Sequence, residues 1–103
     1  MEQIKHLSEM IEDELRGARE YARCAVKHKD DNPTLAKTFF DLSTDEMRHM
    51  TLLHNEVVRM IDQYRKEHGK PPEAMLAVYN YLHERHIEQA RKAKACQELY
   101  KGT

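Results

Sequence analysis

Asp30-Asp31-Asn32-Pro33 ends one long helical pattern and begins another. Asn32 is a residue type that caps helix N-termini through its side-chain oxygen, and proline suits the first helical position because no amide hydrogen is needed there. The second interruption is Gly69-Lys70-Pro71-Pro72, in which the glycine can end a helix and the prolines cannot continue it. The sequence therefore predicts three helices, spanning residues 2–28, 33–68 and 72–100.

Apolar residues recur at helical spacing in all three segments. The first stripe is Ile4, Leu7, Ile11, Glu14, Ala18, Tyr21 and Ala25. The second is Leu35, Phe39, Leu42, Glu46, His49, Leu53, Glu56 with Val57, Met60 and Tyr64. The third is Met75, Tyr79, Leu82, His86, Ala90 and Ala93. The first connection is short, so we predict an all-α fold made of a long antiparallel helical hairpin plus a third helix.

Length and composition fit one small helical domain. At 103 residues the chain is too short for two ordinary cores, so residues 1–103 are interpreted as a single domain. Its 17 Lys and Arg nearly balance its 18 Asp and Glu, which gives no reason to expect binding to nucleic acid or to an anionic membrane. The N-terminus is unlike a signal peptide, and we expect a cytoplasmic protein in which Cys24 and Cys96 stay unpaired.

Three ionisable residues interrupt the apolar stripes at one height of the predicted hairpin. The turn is centred near residue 31, so Glu14 on the first helix lies level with Glu46 and His49 on the second. Charged groups in such a stripe are costly unless something pairs with them. Coincidence of height and face is a stronger signal than the short motif alone.

Glu46-Met47-Arg48-His49 reads Glu-x-x-His, which places a carboxylate and an imidazole on one helix face, about one turn apart. That face can offer an oxygen and a nitrogen to one metal ion. Two other interpretations remain open, a buried polar pair and a solvent-exposed pair beside Asp45 and Thr51. Bundles that hold two irons use a lone Glu on each of two helices and Glu-x-x-His on each of the other two. This chain carries half of that set, so two copies must meet to complete it.

The chain resembles the ferritin-like di-iron carboxylate superfamily over its first two helices. The resembling residues are Glu14 followed by Tyr21, and then the run Asp45-Glu46-Met47-Arg48-His49. The resemblance implies that Glu14 is a terminal ligand, Glu46 a bridging ligand and His49 the nitrogen ligand. It also implies that Tyr21, Asp45 and Arg48 surround the ligands without binding metal. Tyr21 could reach a ligand carboxylate or simply pack, whereas Asp45 or Arg48 would orient the imidazole.

The third helix departs from ferritins and rubrerythrins, since it contains no second Glu-x-x-His. The closest design is that of encapsulated ferritins, short chains whose metal site forms between subunits. Their cargo-loading tail is not recognisable in residues 99–103, and packaging inside a protein shell stays open. The resemblance thus implies a homodimer or higher even oligomer that completes a four-helix bundle around two irons per dimer. It implies Fe²⁺ oxidation by O₂ or peroxide, in iron storage or in detoxification.

Other functions are compatible with the same sequence. It could be a non-catalytic assembly module with a structural metal, since zinc or another divalent ion can substitute for iron. It could also be an adaptor that binds partners through the third helix without metal. His6 and Glu56 are level in the hairpin and could form a secondary site or a route for iron. His83 and His86 have metal-binding spacing but no visible third ligand, and would otherwise be polar-face or interface residues.

Overall fold

Three helices form the chain in the computed structural model, which describes residues 2–102. Met1 and Thr103, which belong to the predicted domain and its tail, lie outside the described residues. The helices are α1 (Glu2–His28), α2 (Pro33–His68) and α3 (Glu73–Lys101). Residues 2–102 contain no strand, so the all-α fold is confirmed. The bounds of α1 and α2 are those expected, and α3 begins and ends one residue later.

The turn between α1 and α2 is held by local hydrogen bonds. The Asn32 side-chain oxygen accepts from the Leu35 amide at 3.2 Å, which caps α2 as predicted. One turn earlier, His28 Nδ1 lies 3.2 Å from an Asp31 carboxylate oxygen. The chain thus reverses within four residues, and α1 and α2 run antiparallel side by side. The third helix packs mainly along α1 and touches α2 much less.

The core lies between α1 and α2 and is made of branched aliphatic side chains. Ile4, Ile11 and Leu15 of α1 pack against Val57 and Ile61 of α2. Each is at most 8% exposed, and burying such a side chain is worth about 1.5–3 kcal/mol. Nearer the turn the fully buried residues are small, so the helices approach closely there; they are Ala18, Ala22, Ala25 and Ala36.

A buried polar link ties the three helices together. The Ser43 hydroxyl on α2 donates to the carbonyl of Ala18 on α1 at 2.6 Å. The same hydroxyl accepts from the Gln97 side-chain amide on α3 at 2.8 Å. Ser43 is 0% exposed, so its hydroxyl needs both partners.

On α1 the predicted stripe residues Ile4, Ile11, Ala18 and Ala25 are buried, whereas on α2 most of the predicted stripe is displaced from the most buried face. Ser43 is buried where Leu42 was expected, and Leu42 is 38% exposed, so its assignment to the interior is wrong. On α1, Leu15 is buried while its neighbour Glu14 is only half-buried. The reason is that α3 covers the other flank of α1, which moves the core toward α3. The residues of the predicted stripes that include Glu14 and Leu42 therefore border an uncovered face of the hairpin.

The molecule is elongated, with extents of 56 × 20 × 17 Å. It exposes 6971 Å² of surface, whereas a folded monomer of 12.2 kDa typically exposes about 6,100 Å². No helix within residues 2–102 has a stretch long and apolar enough to cross a membrane.

Candidate metal centre

Glu14, Glu46 and His49 meet between α1 and α2. Each offers one donor atom, and these three atoms all lie within 4.8 Å of one another. All three side chains are half-buried. Glu14 lies about 200° around α1 from Glu12, which pairs with Arg85 of α3, so it faces away from that contact with α3. Two carboxylate oxygens and one imidazole nitrogen at this spacing form a group that can hold a metal ion.

The imidazole of His49 is oriented by a residue on each side. Its Nδ1 lies 3.3 Å from Oε2 of Glu14 across the hairpin. Its Nε2 lies 3.5 Å from the guanidinium of Arg48, which can only donate, so Nε2 is the accepting nitrogen. In the tautomer that this contact favours, Nδ1 carries the proton and points at Glu14. A cation bound between them would replace that proton on Nδ1.

The nearby carboxyl group of Glu14 favours the protonated form of Glu46. The pKa of Glu46 is raised to about 7, first by its hydrogen bond with Glu14, then by burial, then by repulsion from the Glu14 charge. His49 opposes this rise, and Asp45 adds a further repulsion. A proton therefore competes with a cation for these carboxyl groups near neutral pH. The donor set therefore fits a metal ion.

Gly17 allows Glu46 to lie against the backbone of α1. A Cβ added at Gly17 would come within 3.3 Å of Oε2 of Glu46 and 3.4 Å of its Cδ. Helical periodicity and the Glu-x-x-His motif do not single out this residue. Gly17 stands out in the sequence as a glycine in a helix interior, one turn beyond Glu14. Glycine at such a position costs up to about 1 kcal/mol of helix stability relative to alanine.

The three residues predicted to surround the ligands, Tyr21, Asp45 and Arg48, lie in different settings. Tyr21 stacks on Phe39 with ring centroids 6.3 Å apart, and its predicted role beside the ligands stays a prediction. Arg48 lies beside the imidazole, as one alternative had it. Asp45 is exposed, and its negative charge raises the pKa of Glu46. Its role in orienting His49 stays a prediction.

His6 and Glu56 are not gathered into a donor group by the structure. Both are exposed, and the Glu56 carboxylate is engaged by the guanidinium of Arg59 at 2.7 Å and 2.9 Å. That pairing lowers the pKa of Glu56. The secondary site suggested for these two residues stays a prediction.

No known family model matches the chain, and no curated protein or solved structure does either. The likeness to ferritin-like proteins therefore rests on the residues and their arrangement alone.

Proposed function

We propose that this chain binds Fe²⁺ at Glu14, Glu46 and His49 and oxidises it at a di-iron centre shared by two subunits. The observation that carries the proposal is the convergence of two facing carboxylates and an imidazole nitrogen from antiparallel helices. This is the half-set of ligands that a di-iron four-helix bundle takes from one pair of helices. The proposal places the chain among ferritin-like proteins, acting in iron storage or in oxidative-stress detoxification.

A second copy of the chain supplies the rest of the centre. Three protein donors are too few for two ions, and the face that bears them is not covered by α3. Glu12, which pairs with Arg85 of α3, marks the covered flank of α1; Glu14 lies about 200° further around the helix. Met10 precedes Glu14 by four residues and Leu42 precedes Glu46 by four, so each lies about one turn away on the same helix face. Both are 38% exposed. An isologous dimer buries this patch against itself and doubles the ligand set.

The donor chemistry favours a metal that changes oxidation state. Carboxylates stabilise the harder ferric ion, while an imidazole is a good ligand for ferrous iron. Each Fe²⁺ gives up one electron, and two electrons with two protons reduce O₂ to H₂O₂ or H₂O₂ to two waters. Binding of the cations releases the proton held by Glu14 and Glu46, so the protein exchanges that proton for positive charge.

The test is anaerobic loading with Fe²⁺ followed by exposure to O₂. We expect about one iron per chain, two per dimer, and oxidation faster than in the protein-free buffer. Glu46→Ala and His49→Ala should abolish the acceleration while the helical circular dichroism persists. Glu20→Ala, which removes an exposed carboxylate of α1 outside the candidate site, is the control.

The competing reading is a non-catalytic assembly module with a structural metal at the same residues. Zinc binds most such sites more tightly than Fe²⁺, so bound zinc in a purified sample would be compatible with either function. Stoichiometry well below one iron per chain, together with no accelerated oxidation, would favour the structural module. If Glu46→Ala kept full oxidation activity, the site itself would be wrong.

A further inference from the structure

Three histidines from two helices gather on the side of the molecule that α3 covers. His54 of α2 and His83 and His86 of α3 line one cavity of about 200 Å³. Ile11 and Met50 line the same cavity, so the imidazoles are the nitrogen donors in an otherwise largely apolar setting. Sequence spacing identified His83 and His86 without a third ligand, and the fold places His54 at the same cavity.

This cluster is separate from the carboxylate centre. It shares no residue with that centre, and His54 follows His49 by five residues, which turns it about 140° around α2. The two histidines of α2 therefore face opposite flanks of the hairpin.

The separation of the rings suits ligation of one ion. The centroids of His54 and His83 lie 5.3 Å apart. Two imidazoles bound tetrahedrally to zinc, with Zn–N distances of about 2.0–2.1 Å, have centroids roughly 5 Å apart. His83 and His86 are three residues apart on α3, so their side chains project from one face about one turn apart.

Ring rotation is the movement that binding requires. The rings of His54 and His83 stack with an interplanar angle of 22°, and the three histidines do not yet converge within 4.8 Å as the carboxylate centre does. The torsion that turns a histidine ring about its Cβ–Cγ bond is broad, so both rings can turn a nitrogen toward the cavity. For His83 this rotation gives up the stacking of its ring on Tyr79, at a centroid distance of 5.7 Å.

His86 already has a nitrogen that needs a partner. The residue is 8% exposed, and its Nε2 is buried without a hydrogen bond. Burial lowers its pKa, which the charges of His83 and His54 lower further and nearby Glu12 and the Ser8 backbone raise. Burial and His83 likewise lower the pKa of His54. Neutral imidazole is the form that binds metal, so protons compete weakly here.

We propose that His54, His83 and His86 form a second metal site, for a zinc-class divalent ion, which clamps α3 to α2. A set of nitrogen donors without a carboxylate suits Zn²⁺, Ni²⁺ or Cu²⁺ better than Mn²⁺. Three protein ligands leave a fourth position for water or a side chain from elsewhere. Because α3 otherwise touches α2 little, the ion would tie together the two helices that the fold connects most weakly.

The experiment uses the full chain carrying Glu46→Gln and His49→Ala, so that the carboxylate centre no longer contributes. Titration with Co²⁺, followed by its visible absorption, and with Zn²⁺ by calorimetry should show about one ion per chain. Saturating Zn²⁺ should also raise the midpoint of thermal unfolding. Iron oxidation is not a readout, so failure of the proposed function leaves this test intact.

Adding His54→Ala or His83→Ala should weaken Zn²⁺ binding at least tenfold, or about 1.4 kcal/mol, and abolish the thermal shift. His68→Ala, at an exposed histidine of α2, should change neither. Helical circular dichroism verifies that each variant is folded. The proposal is overturned if the parent variant binds no Co²⁺ or Zn²⁺, or if His68→Ala lowers the affinity as much as His83→Ala does.

Discussion

At the scale of single residues, the pair Glu14 and Glu46 controls when the candidate centre can take a cation. The hydrogen bond between the carboxyls, burial and mutual repulsion hold the pKa of Glu46 near 7. A metal ion and the shared proton therefore compete in the neutral range. The imidazole of His49 faces the same space, which makes the site more favourable for an ion that accepts both oxygen and nitrogen.

This pair makes the stability of the metal-free protein depend on pH. The pKa of Glu46 rises from 4.5 to about 7 on folding, so the folded state keeps a proton that the unfolded chain releases between these values. The stabilisation from this group is therefore full below pH about 4.5 and is lost as the pH rises through about 7. We expect Glu46→Gln to flatten the fall in the unfolding midpoint between pH 5 and 8. Equal pH slopes in the two proteins would contradict the assignment.

The ligand residues could be predicted from sequence because helical periodicity and a short turn determine their height and approximate face. Glu14, Glu46 and His49 needed no knowledge of α3. The pairing of Tyr21 with Phe39 and the close approach at Gly17 could not be predicted, because each depends on how far apart the helix axes lie. His54 was missed for the same reason, since its relation to α3 exists only in the packed fold.

At the scale of the helix, Gly17 lowers the stability of α1 but leaves space for the side chain of Glu46. Gly17→Ala should favour α1 by up to about 1 kcal/mol in helix propensity. Its methyl group would meet the Glu46 carboxylate at 3.3 Å and displace a ligand. We therefore expect unchanged or higher thermal stability together with weaker metal binding, measured by unfolding and by Fe²⁺ or Zn²⁺ titration. Arg16→Ala, on the exposed side of α1, controls for helix propensity. Unaltered metal affinity would show that Glu46 moves aside freely.

The rotation of the buried face also belongs to the helix scale. A hairpin considered alone should bury Leu42, but α3 draws the core around α1 and buries Ser43 instead. Periodicity determines the spacing of a stripe, yet the most buried side depends on every helix that packs against it.

Ser43→Ala tests this arrangement of the three helices. The substitution removes the donor to the Ala18 carbonyl and the acceptor for Gln97, and leaves the partly buried Gln97 amide without this partner. We expect a loss of about 1–3 kcal/mol of unfolding free energy, measured by urea denaturation. Thr38→Ala, which removes an exposed hydroxyl of the same helix, should cost much less. If the two variants lost equal stability, the buried link would not stabilise the fold.

At the scale of the whole molecule, the elongated shape and the large exposed surface are compatible with the proposed dimer. The uncovered hairpin face bears the three donor residues with Met10 and Leu42 beside them. Apolar side chains beside a half-complete ligand set are what an isologous contact would bury. Leu42, which was wrongly predicted to lie in the core, is therefore a candidate interface residue.

Leu42→Glu should separate the subunits without unfolding them. Leu42 is 38% exposed in the single chain, so a carboxylate there can stay solvated in the monomer, whereas a dimer would bury one from each subunit near Glu46. We expect wild-type protein to sediment as a dimer or larger even oligomer at micromolar concentration, and the variant as a helical monomer. Accelerated Fe²⁺ oxidation should disappear with the dimer. Leu99→Glu, at a residue of α3 that is 64% exposed, should leave both assembly and oxidation intact. A wild-type chain that is monomeric with or without metal would refute the shared centre, because its three donors cannot by themselves hold two ions.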